Sequence, residues 1–192
     1  MMKNLTVIIM ASNNVNLGIG LVTGMFYTAP AGTELPASPM DTLDNDWVSA
    51  GAITADGITW TTGKDSEPLR NWAKETERLV GSDEGGSVTA PMMYTTEETL
   101  KTIFGADNVT VTPATATNGK IISVTVAPGV SASPMAFLFL MKDGDDMLML
   151  GTEKGIVREV GDITFTSTDG ITWEVTIEAA SWTFAKDDGQ VV

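Results

Sequence analysis

One short helix stands in a chain otherwise made of short β-prone runs and turns, and that contrast limits what the chain can fold into. The helix pattern covers Glu97 to Phe104, in the second half of the stretch 64–108. Thr95 can cap its first turn, and Glu98 three residues later can reach back to complete a capping box. Glu97 and Glu98 stand at the positive end of the helix dipole. Leu100, Ile103 and Phe104 form one apolar stripe, and Gly105 offers a left-handed stop. An isolated helix this short is marginal in water, so its stripe needs a packed surface. The expectation is a β structure with one flanking helix at about 96–105.

The remaining elements follow in order. Residues 1–24 combine a β-prone patch (Val7, Ile8, Ile9) with Gly18, Gly20 and Gly24. The glycines miss dinucleotide-loop spacing by one residue and no helix pattern follows them, so the segment reads as an N-terminal arm. A single domain then spans 25–192. Met25 to Thr28 and Trp47 to Thr54 read as strands, separated by a loop that Pro30, Gly32, Pro36 and Pro39 break up. Asp56-Gly57 is a turn signal feeding the alternating Ile58, Trp60 and Thr62. The same five residues, Asp-Gly-Ile-Thr-Trp, return at 169–173. Pro68 argues against a central strand within 64–80, where Leu69 and Trp72 share one face of a short helix or twisted strand. Ser87 to Tyr94 reads as a strand broken by Pro91. Strands follow at Val109 to Thr112 and Ile121 to Ala127. Met135 to Met141 is continuously apolar and predicts a strand buried on both faces. The acidic turn at 143–146 returns the chain into Met147 to Leu150. Ile156 to Val160, Ile163 to Ser167 and Ile171 to Phe184 complete the β region, and the acidic C-terminus is expected to fray. Many short strands with turn signals every 8–12 residues or so indicate a sandwich or a barrel.

Composition removes much chemistry. The chain has no Cys and no His, hence no disulfide, no thiolate zinc site and no histidine base for a Ser or Cys hydrolase. Its 25 acidic and 11 basic residues give a net charge of −14. Such a surface repels nucleic-acid phosphates and anionic membranes, which speaks against high-affinity DNA binding but not against a wall that DNA passes. No run approaches the roughly 20 apolar residues of a membrane helix. Leu5 to Ala11 is short for a signal peptide and lacks a cleavage site. Asp143, Asp145, Asp146 and the later Glu153 suggest a calcium loop, but a strand pattern intervenes, and a solvated hairpin turn is the reading adopted. Paired carboxylates could serve a glycosidase, yet nothing marks one pair among 25 acids. Catalytic, cofactor and metal sites are therefore expected to be absent. The glycosylation patterns at Asn4 and Asn108 lack a secretory context. Trp60, Leu69 and Trp72 lie among turns and charges, and suit either a satellite core or interface anchors.

Several segments, in order, resemble the major tail (tail tube) proteins of long-tailed bacteriophages with non-contractile tails. They are Tyr27 to Pro36; Trp47 to Ile58, similar to that family's W…G-I-T-E-D-G; Lys64-Asp65 with Trp72; Thr96 to Leu100 running to Phe104 through Val109; and Arg158 to Ile163, with its E-V-G-D-I string. The resemblance spans about residues 25–182. It implies a β-sandwich with one flanking helix, whose subunits close into hexameric rings with a continuous β-barrel channel. Rings would stack into a tube through which genome DNA passes without specific binding. It further implies an excursion at about 59–79 that reaches the next ring, with Trp60, Leu69 and Trp72 as inter-ring or inter-subunit contacts. The implied partners are further copies of the chain, a tape measure protein and a tail terminator protein, with no membrane; the implied location is the virion, after assembly in the host cytoplasm. Two other readings stand beside this one: a secreted or surface immunoglobulin-like adhesion domain, and a carbohydrate-active β-sandwich enzyme.

Overall fold

The computed structural model describes residues 19–20, 26–63, 66–70, 72, 76–81, 85–126, 132–167 and 170–189. In chain order the elements are β1 (Ile19–Gly20), β2 (Phe26–Pro30), β3 (Val48–Gly51), β4 (Thr59–Thr61), β5 (Ser66–Arg70), β6 (Thr76–Gly81), β7 (Ser87–Met92), α1 (Glu97–Phe104), β8 (Val109–Thr112), β9 (Ile121–Val124), β10 (Met135–Asp143), β11 (Asp146–Val160), β12 (Trp173–Ala179) and β13 (Thr183–Asp187). Apart from Ile19–Gly20, which pair with the end of β10, most of the segment read as an arm lies outside the described residues.

The fold is mainly β, dominated by one antiparallel sheet in the order β3-β2-β10-β11-β12-β7-β4, with β1 beside β10 and β13 beside β11. This sheet curls until its ends meet. Beyond β3, Ile53 bridges Met92 of β7, with the Thr54 amide donating to the Pro91 carbonyl and the Met93 amide to Ala52, both at 2.9 Å. The β3–β4 line thus leaves β2 and joins β7. Of the two architectures that the strand spacing allows, this closure is the barrel-like one: the opposed layers belong to one continuous sheet. The corner is built by a bulge that skips Ala50 in the β2–β3 register and by Gly51, whose φ of 114° suits glycine. A Cβ at Gly51 would lie 2.9 Å from the Tyr94 ring.

Alternation fills the interior. Val88, Ala90 and Met92 of β7 and Trp173, Val175 and Ile177 of β12 point inward, while their neighbours are half-buried or exposed. Phe26, Phe137 and Phe139 stack, with centroids 4.6 Å apart for Phe26–Phe139 and 6.0 Å for Phe26–Phe137. The predicted two-sided burial of β10 is observed and has a local cause. Phe137, Phe139 and Met141 enter the main core, whereas Ala136, Leu138 and Leu140 join Ala29 and Met149 in a second cluster. Leu35, Leu43 and Trp47, from the loop between β2 and β3, pack on that cluster. Leu35 comes so close to β11 that a Cβ on Gly151 would lie 2.7 Å from it.

The helix occupies the predicted residues, but its cap is Thr96 rather than Thr95. The Thr96 hydroxyl accepts from the Thr99 amide. Thr95 is drawn away, because its hydroxyl accepts from Trp173 Nε1 at 3.0 Å. Gly105 ends the helix with φ 85° and ψ 144°, so it supplies the positive φ without the left-handed helical ψ. Asn108 donates from its side chain to the Phe104 carbonyl at 2.6 Å. Leu100 and Ile103 enter the main core, and Thr99 donates to the Ala50 carbonyl at 2.7 Å, binding the helix to the bulged corner. Glu97 accepts from Lys101 on its own helix and from Lys120 in the loop of the β8–β9 hairpin.

Four further expectations give way. Pro91 does not break β7, which runs through it. Its carbonyl faces the Ala52–Thr54 segment, so its missing N–H also points away from β12 and costs that ladder nothing. Residues 146–160 form one strand, joining the two expected at Met147 to Leu150 and Ile156 to Val160. Ile163 to Ser167 is irregular, and the Ile171 to Phe184 region divides into β12 and the start of β13. The two Asp-Gly-Ile-Thr-Trp copies lead into β4 and β12, which flank β7 on opposite edges; Asp169 lies outside the described residues.

Replacing Thr99 with Val should leave the buried Ala50 carbonyl unpaired and cost about 1–3 kcal/mol, whereas Ser should restore most of it; thermal melts of the two variants check this. The Lys101 and Lys120 ammonium groups, by hydrogen bond and charge, lower the Glu97 carboxyl from 4.5 to about 2. Because the folded value is depressed, this clamp is fully present above about 4.5 and is lost as pH falls towards 2. Glu97→Gln should therefore flatten the acid limb of a stability-versus-pH curve while leaving the curve's shape above pH 6 or so unchanged.

Candidate assembly surfaces

Any contact with other copies must use surface that the closed sheet leaves over. Two such features carry the candidate contact residues. The first is the β5–β6 hairpin, whose strands pair with each other and not with the main sheet. The second is strand β4, paired with β7 on one edge only among the described residues. Unpaired edges template further strand pairing, and stable proteins cover or use them.

The sequence-derived contact residues fall on these features in different ways. Trp72 lies between β5 and β6 and is wholly exposed, at 103% of its reference area. Leu69 sits on β5 opposite Arg78. Trp60 lies at the centre of β4, opposite Val88, and is 38% exposed. It leans over Gly86, where an added Cβ would lie 3.2 Å from its Nε1 and 3.1 Å from the Trp182 ring. Trp182 in turn donates to the Gly86 carbonyl at 2.8 Å. Trp60 and Trp72 are therefore not one cluster: Trp60 rests partly on the body of the fold, while Trp72 stands clear of it. The excursion expected at 59–79 holds β4, β5 and the start of β6, so it is built largely of strands.

Sequence patterning missed other exposed apolar side chains. Met93 and Tyr94 follow β7 at the sheet closure, Val126 follows β9, Phe165 lies in the irregular segment and Phe184 on β13. Phe165 was placed in an expected strand, so its exposure had no visible signal. Among the described residues no group of three or more acidic side chains could hold a metal ion, and no helix is long and apolar enough to cross a membrane. The acidic turn at 143–146 is a tight hairpin, with Asp143 opposite Asp146 and Gly144 at φ 61°.

One large antiparallel sheet with one small helix, two separate hairpins and open strand edges makes this a mainly β protein. The chain belongs to the phage tail tube protein family, whose model matches residues 10–187. That match begins within the segment read as an arm. A search of curated protein sequences returns no match. Family membership makes the chain a structural virion component of the tail tube.

Trp72 and Trp173 should respond oppositely to truncation. Trp72→Ala should change unfolding free energy by no more than about 0.5 kcal/mol. Trp173→Ala removes a buried ring that meets Phe104 edge-on at 5.9 Å and should cost about 3–5 kcal/mol. Denaturant unfolding of both variants checks the contrast.

Proposed function

We propose that this chain self-assembles into hexameric rings that stack into the tail tube, forming a channel through which genome DNA passes during ejection into the host. Family membership supplies the tube. The observation that carries the stacking is the β5–β6 hairpin, outside the main sheet and presenting Trp72 wholly to solvent. A fully exposed Trp on a hairpin paired outside the main sheet is what an interface anchor looks like before its partner arrives. On this reading Trp72 and Leu69 meet the next ring, and Trp60 lies where β4 faces a neighbouring subunit. The net charge of −14 suits a wall along which phosphates slide without binding. Tape measure and tail terminator proteins are the other partners this role calls for.

Negative-stain microscopy of purified protein tests the proposal. Rings or tubes with a central channel are expected. A protein that stays monomeric at high concentration would sink it and favour the adhesion-domain reading. Trp72→Ala should shorten or abolish tubes while its melting temperature stays within about 2 °C of the parent. Normal tubes from that variant would remove Trp72 from the interface.

A further inference from the structure

We propose that a groove beside Lys154 and Arg158 receives the acidic β10–β11 hairpin tip of a second copy, so that copies join head to tail. This rests on the tail tube reading above and names the surfaces that meet. The groove encloses about 650 Å³ between Gly85, Pro134, Lys154, Gly155, Arg158 and Glu178. Its wall is tightly built: a Cβ on Gly85 would lie 1.9 Å from the Ala179 carbonyl oxygen, and one on Gly155 would meet the buried Phe137 ring at 3.0 Å.

Charge makes this groove unlike the surface around it. On a chain of net charge −14, two of the 11 basic residues stand here together. Arg158 is bound to Glu178 at 2.6 Å. Lys154 has no ion pair among the described residues. A groove with an uncommitted cation fits an acidic partner, and the chain carries one at the far end of the same hairpin. Met135 pairs with Gly155 at the base, beside the groove, and Asp143 pairs with Asp146 at the tip. The strand between them spans about 27 Å at 3.4 Å or so per residue. At the tip Gly144 and Asp145 are exposed, as is Lys142 on the strand before them. Lys186 is held by Asp146 at 2.7 Å, and Asp187 and Asp188 lie alongside at the end of β13. Asp145 is thus an exposed carboxylate in an acidic turn.

Tip and groove are different patches of one surface; joined head to tail, their contact is heterologous, and each copy added offers a new tip and a new groove. That is the connectivity a stacked tube requires. The charge pair steers approach and sets register, and salt weakens it.

Charge reversal tests the contact, read as the fraction of protein in tubes by sedimentation and microscopy. Lys154→Glu and Asp145→Lys should each lower that fraction by roughly tenfold, since like charges then face each other. The double variant, with the charges exchanged, should assemble to within about twofold of the parent. Melting temperatures of all three should match the parent, because both side chains lie at the surface. If either single variant assembles normally while the parent forms tubes, the contact is wrong and the tail tube reading stands. Single variants that fail with no recovery in the double variant also overturn the pairing. A parent chain that forms neither rings nor tubes overturns the tail tube reading and this contact with it.

Discussion

The hydrogen bond from the Thr99 hydroxyl to the Ala50 carbonyl ties together everything distinctive about the fold. This sheet rolls up where a strand changes partners, at the Ala50 bulge and Gly51. A bulge leaves backbone groups without ladder partners, and a buried carbonyl left unpaired is costly. The helix resolves this by bringing a hydroxyl to the bulged residue. The capping hydroxyl of Thr96 touches Thr99 at 2.8 Å, so helix start, sheet corner and barrel closure form one connected unit. The helix is therefore part of how the sheet closes, beyond covering apolar surface.

The electrostatics follow a consistent division. Among the described residues, several cations are spent on internal ties: Lys101 and Lys120 on Glu97, Lys186 on Asp146, Arg158 on Glu178. What remains outward is largely acidic. Exposed pairs of this kind add little to stability singly, but the Glu97 clamp joins two elements that share no sheet. A surplus of negative charge keeps separate copies apart in solution, so any association depends on specific apolar and charge contacts.

Much of this architecture was legible in local sequence. The helix emerged at its observed residues because capping, stripe and stop agree there. The two-sided burial of β10 was legible from unbroken apolar sequence, although the loop covering its second face was not. Misreadings arose where long-range pairing overrides local signals. Met147 to Leu150 and Ile156 to Val160 read as separate strands, but Gly151 and Gly155 between them lie within one ladder, where Leu35, Phe137 and Ile177 crowd the space a Cβ would need. Pro91 looks like a terminator, but its missing donor faces away from β12. Thr95 looks like a cap until Trp173, distant in sequence, claims its hydroxyl. As for the candidate surfaces, aromatic residues amid charge pointed to Trp60 and Trp72. The groove near Lys154 had no local signature, because it is assembled from residues far apart in the chain.

The segment Met-Ala-Phe-Leu-Phe-Leu-Met of β10 carries a kinetic consequence. It is a seven-residue run of high β-propensity without charge, proline or glycine, the composition that stacks into cross-β fibrils when left bare. In the native state β2, β11, the main core and the 31–47 loop enclose it on every side. Yet β2 lies more than a hundred residues earlier in the chain, and such distant pairings form slowly. During synthesis and folding the segment must therefore wait uncovered on at least one edge. The charged Lys142 and Asp143 at its end act as gatekeepers during that wait. A tail tube protein thus contains a segment able to polymerise in the wrong geometry, and the speed with which β2 and the loop seal β10 decides how long that segment stays bare.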